Sequence, residues 1–223
     1  MKPIPAIIAA LPREVAALVR GTAPDARLKR SGIYLYRLPT ALVVCGGMGT
    51  VRVTLAVKAA LDASPLTTLI SAGLAGGCDP GVPVGSVVES RTIVDAQSGV
   101  RFTAVSGTAT LVTTHSIASV KEKQRLFASY GASVVDMEAC TVARLAEINQ
   151  LSFRAIKAVS DAHDFEASSL SRFASPRGHF RTGAFALHTA LRPHRWGDAV
   201  KLSSGSQRAL HALTISLEEI LTP

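Results

Sequence analysis

The chain has 223 residues, 48% of them apolar, and a formal net charge of +8 at pH 7. That length supports one substantial core, so a single domain over residues 1–223 is expected. Cys45, Cys78 and Cys140 are far apart, odd in number and lack metal-ligand spacing, which gives no support to a disulfide framework or a cysteine-based zinc site and suits a reducing, cytoplasmic setting.

The opening run Ile4 to Leu11 is short and apolar, and Pro12, Arg13 and Glu14 follow it without a small-residue cleavage pattern, so it reads as a first buried strand rather than a signal peptide. Further short runs rich in Val, Ile, Leu or Ala at 41–45, 66–72, 86–94, 109–113 and 153–159 read as buried strands. Between them, Val51–Leu61, Ile117–Tyr130 and Met137–Ile148 show helical spacing, and Ser204–Leu221 closes the chain in the same way. Alternating strands and helices predict an α/β fold, a three-layer α/β/α domain around a twisted mixed, mainly parallel sheet. Ser168, Ser169, Ser171, Pro176 and Gly178 predict a loop over Asp164–Thr182, a candidate lid. No apolar stretch approaches the roughly 20 residues that span a bilayer.

The basic residues are scattered except between Arg172 and Lys201, where six cations face only Asp198 and are interleaved with Phe173, Phe180, Phe185 and Trp196. A peripheral lipid-surface contact and a plain solvated face both fit that stretch. Nucleic acid is not expected as a partner.

In open α/β sheets, ligands sit beyond the carboxyl ends of the strands. Glu14, the turn Cys45–Gly49, the turn Gly73–Gly77, the pair Met137-Glu138 and the pair Ser160-Asp161 each follow an apolar run, so all five are expected along one edge. Gly46 and Gly47 turn the chain tightly and leave amides facing a ligand, or make a connection and nothing more; Arg52 stands where a dinucleotide fingerprint needs its third glycine. Gly73, Ala75, Gly76 and Gly77 offer a second such turn. Glu138 is expected in the first turn of a helix, kept ionised by the helix dipole and suited to accept hydrogen bonds from two sugar hydroxyls; a helix-start glutamate without further role is the plainer alternative. Asp161, delivered by a strand, is a candidate proton donor or a cap. Glu14 is a third carboxylate at a strand end, or the solvent-facing start of a helix Glu14–Val19. His115 and His163 have no metal spacing, and neither a metal nor a cofactor is expected.

Taken together, Ala10-Leu11-Pro12-Arg13-Glu14-Val15, Gly46-Gly47-Met48-Gly49, Gly73–Gly77, Val84-Gly85-Ser86-Val87-Val88, Val135-Asp136-Met137-Glu138-Ala139 and Ser160-Asp161 resemble the purine nucleoside phosphorylase and methylthioadenosine/S-adenosylhomocysteine nucleosidase superfamily. The chain departs from the resemblance at Ser86, where the family has aspartate, and at Gly46, where the nucleosidases have serine. The resemblance implies cleavage of the N-glycosidic bond of a purine nucleoside, with Glu14 activating water, Glu138 holding the ribose hydroxyls and Asp161 protonating purine N7. It further implies adenine as the base, contacts from Met137 and Ser160, stacking on the base by Ile117 or Phe165, and at least a homodimer. Lys123–Ala139 is most similar to the hopanoid-associated phosphorylases, which implies an adenosylated polycyclic lipid as substrate. Water is the expected nucleophile, because one phosphate-binding arginine of the phosphorylases falls at Ser71. Phosphorolysis and a non-catalytic nucleoside-binding protein are the alternatives.

Overall fold

The computed structural model describes residues 2–166 and 196–222. In chain order its elements are β1 (Ile4–Ala9), α1 (Ala26–Arg30), β2 (Tyr34–Arg37), β3 (Leu42–Cys45), α2 (Thr50–Ala63), β4 (Leu66–Gly77), β5 (Val87–Asp95), β6 (Arg101–Thr103), β7 (Ala109–Thr113), α3 (Val120–Tyr130), β8 (Val134–Asp136), α4 (Ala139–Ile148), β9 (Ser152–Asp161) and a C-terminal helix, Trp196–Leu221. Each apolar run became a strand. Unanticipated were α1, β2 and β6, whose three to five residues are too few to show a period. The segment 167–195, with most of the expected loop Asp164–Thr182 and of the basic stretch Arg172–Lys201, lies outside the described residues. Among those residues no helix is long and apolar enough to cross a membrane.

Strand periodicity builds the layers. In β1, Ala6 and Ile8 join a core with Ala56, Val57 and Ala60 of α2 and Val142, Ala143 and Ala146 of α4. Ile7 and Ala9 point the other way and pack with Ala209, Leu213 and Leu217 of the C-terminal helix. Both faces are therefore buried, which is why β1 and β3 read as continuous apolar runs rather than alternating ones. Helix α3 is fixed at both ends: the Ser119 hydroxyl accepts a hydrogen bond from the Glu122 amide at 3.2 Å, and Gly131 ends it in the left-handed conformation at φ 62°.

The nine strands follow the order β2-β3-β1-β4-β8-β7-β5-β6, with β9 paired to both β4 and β5. Strands β4, β8, β7, β5 and β9 consequently close into a ring, with β4–β8 and β5–β9 antiparallel and the other pairs of the ring parallel. One edge of β4 runs beside β9 from Thr68 to Gly76. The other edge pairs with β1 as far as Ser71 and with β8 only from Gly76 onward. Among the described residues Ala72 to Ala75 have no strand partner on that edge, and the site opens in this gap. It is not simply an edge where all strands end: β4 passes through it, and β8, arriving antiparallel, carries the chain back along β4 toward Glu138.

Candidate active site

A cavity of about 430 Å³ occupies the gap, walled by the turn after β1, the middle of β4, the β8–α4 junction, the end of β9, the loop before α3 and the C-terminal helix. Glu14, Glu138 and Asp161 all line it, as do Ala75, Gly76, Ile117, Met137 and Ser160.

Glu14 ends a 3₁₀ turn, Pro12–Glu14, and is 7% exposed. Its Oε2 accepts from the Leu11 amide at 2.7 Å and its Oε1 from the Leu74 amide at 3.1 Å. The second bond uses an N–H that β4 leaves unpaired in the gap, so the carboxylate completes the strand edge. It is not the solvent-facing start of a helix. Gly73, at φ 146°, sits behind it, and a Cβ there would lie 3.0 Å from Glu14 Oε1. Gly73 acts through Glu14 and does not itself line the cavity.

Glu138 occupies the N-cap position of α4, and its Oε1 accepts from the Gly49 amide at 3.1 Å. The helix dipole, expected to keep it ionised, works here against burial. Burial first, and then the neighbouring charge of Asp136, push its carboxyl up to about 7, against the opposing pull of Lys157 and the Gly49 amide. Asp136 in turn is enclosed: it accepts from the Thr113 hydroxyl at 2.7 Å and the Ala139 amide at 2.9 Å, and Lys157 Nζ lies 2.8 Å from its Oδ2. Burial works against the charge on Lys157, but Asp136 and Glu138 outweigh it and hold the ammonium above its ordinary value.

Asp161, the last residue of β9, has Ser160 Oγ 2.5 Å from its Oδ1 and Lys123 Nζ 2.5 Å from its Oδ2. Lys123, from the first turn of α3, is 1% exposed and also donates to the carbonyls of Ala162 at 2.8 Å and Phe165 at 3.1 Å. A Cβ on Gly76 would lie 3.1 Å from Lys123 Cε and 3.2 Å from Asp161 Oδ2, so the glycine makes room for this pair.

Gly46 and Gly47 do not line the cavity. A Cβ on Gly46 would fall 2.4 Å from the Arg52 carbonyl oxygen, so this glycine lets α2 pack on the end of β3, and the Gly47 amide donates to the Ala10 carbonyl at 2.8 Å. Of that turn, Met48 reaches the cavity and Gly49 serves Glu138. Phe165 lies in an adjoining recess with Val84 and Arg208. His115 and His163 are absent from the lining, and among the described residues no cluster of three or more His, Cys, Asp or Glu side chains is placed to hold a metal ion.

Sequence reasoning missed Lys123, Asp136, Lys157 and the C-terminal helix wall of Leu202, Ser203, Ser206, Gln207 and Leu210. A signal existed for Lys157, a lone cation inside the apolar run Ala155–Val159, since a lysine in a buried strand needs a partner.

The family model of the phosphorylase superfamily matches residues 5–113 and 103–184. A futalosine hydrolase of Streptomyces coelicolor is 37% identical over 83 residues, 34% of this chain and 35% of that protein, so the chain matches about a third of the length of this relative. The 5′-methylthioadenosine nucleosidase of Arabidopsis thaliana superposes with a TM-score of 0.72 at 20% identity, covering 99% of this chain and 96% of that one. A mutant MTAN of Helicobacter pylori, with 5′-methylthioadenosine in its active site, gives 0.73 at 12% identity over 99% of both chains. Futalosine hydrolase of the same organism gives 0.60 at 15% identity over 72% of this chain and 88% of that one. At these identities the solved structures speak for the fold, and the family model speaks for descent. The chain belongs to the phosphorylase superfamily.

Proposed function

We propose that the protein hydrolyses the N-glycosidic bond of a purine nucleoside and releases the free base, adenine, from a 5′-substituted adenosine such as methylthioadenosine, S-adenosylhomocysteine or an adenosylated hopanoid. The observation that carries this reading is the convergence of Glu14, Glu138 and Asp161, from three separate junctions of the sheet, on one cavity. Cleavage passes through an oxocarbenium-like sugar, so the base needs a proton, the sugar needs negative charge beside it and the nucleophile needs a base. Asp161 hands a proton to purine N7. Glu138 accepts the ribose hydroxyls and faces the cationic sugar. Glu14, held by two amides, takes a proton from the attacking water. Glu138, whose carboxyl burial and Asp136 push up to about 7, accepts the ribose hydroxyls in its ionised form. The C-terminal helix supplies Leu202 and Leu210 for an apolar 5′ substituent.

Arg13 lines the cavity beside Glu14, but three other placements favour water over phosphate. Ser71, where a phosphorylase arginine would fall, is fully buried and away from the cavity. Arg52 spends its guanidinium on the Gly46 and Gly32 carbonyls, and Arg91 lies outside the lining. A phosphate dianion beside Glu14 would also be repelled. Incubation with adenosine, methylthioadenosine and S-adenosylhomocysteine tests the reading: free adenine from at least one supports it, and binding without release points to a nucleoside-binding protein. A homodimer or larger assembly, checked by light scattering, and liposome binding through Arg172–Lys201 belong to the same proposal.

A further inference from the structure

We infer that Lys123 is the source of the proton that Asp161 passes to the departing base; this rests on the nucleosidase reading above. The group in contact with Asp161 Oδ2 is the Lys123 ammonium, at 2.5 Å. The two other contacts of that nitrogen, the Ala162 and Phe165 carbonyls, fix its position and leave its third N–H aimed at Oδ2. The arrangement is not a requirement of packing: a buried ion pair is a weak source of stability, and apolar residues of similar volume often replace one without loss. Unlike a purely internal pair, both Lys123 and Asp161 line the cavity where a base would sit, and Gly76 keeps the space they occupy clear.

The step balances as follows. An N–H bond of Lys123 breaks and an O–H bond forms on Asp161. As the C1′–N9 bond breaks and its electron pair moves into the purine, that O–H breaks and N7–H forms. Lys123 is left as a neutral amine beside the Asp161 carboxylate and recovers its proton from water after the base departs. Lys123 acts through Asp161, so it is a positioning residue that stores the proton. The other titratable groups around it are Glu122 on its own helix, Cys78 just after β4, and His163, Asp164 and Glu166 on the segment after β9; Glu166 accepts from the Val120 amide at 3.2 Å. Burial pushes the Cys78 thiol up to about 12, so it does not compete as a donor near neutral pH.

The test compares two kinds of leaving group: adenine, from adenosine or methylthioadenosine, which needs protonation, and 4-nitrophenolate, from 4-nitrophenyl β-D-ribofuranoside, which departs as a stable anion. Lys123→Met is expected to lower kcat for adenine release by about 10²- to 10⁴-fold, the usual contribution of general acid catalysis. It should leave kcat for the nitrophenyl riboside within about threefold and KM little changed. For the wild type, kcat for adenine release should fall toward high pH, as general acid catalysis requires, while the nitrophenyl riboside shows no such fall. Equal losses on both substrates, or no loss on either, overturn the inference while the nucleosidase reading stands. If Lys123→Met does not fold, the wild-type profiles decide: a high-pH fall confined to adenine release supports the inference, and profiles of one shape overturn it. A wild type that cleaves neither kind of substrate removes the nucleosidase reading and this inference with it.

Discussion

Two buried lysine–aspartate pairs flank the cavity, and their surroundings separate them. Lys157 and Asp136 are the closed pair: Asp136 lines the cavity but its side chain is fully buried, the remaining capacity of its carboxylate is taken by the Thr113 hydroxyl and the Ala139 amide, and Lys157 does not line the cavity. Lys123 and Asp161 both face the cavity, with the Ser160 hydroxyl beside Asp161 Oδ1. A closed pair can order a junction and set the field felt by Glu138, but it has nowhere to send a proton. The open pair has a destination. Burial and ion pairing alone therefore do not distinguish scaffold from chemistry; access to a ligand does.

The comparison breaks most visibly if the pairs respond alike to mutation. Asp161→Asn, an amide of nearly the same shape, should lower kcat for base release by about 10²- to 10⁴-fold in a protein that still folds, measured by adenine release and circular dichroism. Lys157→Met should instead cost stability, about 3–5 kcal/mol in urea unfolding, because it strands Asp136 as an uncompensated buried charge. Gly76→Ala sharpens the contrast: a methyl 3.1 Å from Lys123 Cε displaces the open pair, so kcat should fall by about tenfold to a hundredfold, with the closed pair untouched.

The smallest effect is one of pH. The Glu138 carboxyl stands at about 7 in the folded protein against an ordinary 4.5, so between those values the native state binds more protons than the unfolded one. Stability conferred by the protonated form is complete below about 4.5, declines as pH rises toward 7 and levels off above it. Glu138→Gln should remove that decline from a series of denaturant melts. Nucleoside binding should strengthen over the same rise, since the ionised form accepts the ribose hydroxyls, and this trend too should disappear in Glu138→Gln.

Much of this was readable in the chain. The run Ile4–Leu11 announced β1, and Glu14, Glu138 and Asp161 stood where apolar runs ended. Pairing was not readable: nothing local says that β8 meets β4 antiparallel from Gly76 or that β9 closes the ring, since such partners are chosen by tertiary packing. For the same reason the gap at Ala72–Ala75 was invisible, and the site was placed at a common strand edge. Lys123 stands three residues before the buried Leu126 on α3, a spacing that puts it on the inward face, but among Lys121, Glu122 and Arg125 it passes for one more surface charge. The state of Glu138 depends on Asp136, two residues away, and on Lys157 from another strand; a helix start alone predicts the opposite sign.

Water, activated at Glu14, is the proposed nucleophile that attacks the sugar. The direct measurement is to run the reaction in oxygen-18 water with and without millimolar phosphate and to follow the sugar product by mass spectrometry. Hydrolysis gives free adenine and a free sugar carrying one oxygen-18 at C1, at a rate independent of phosphate. A sugar 1-phosphate formed only when phosphate is present would contradict it and remove Glu14 from its role.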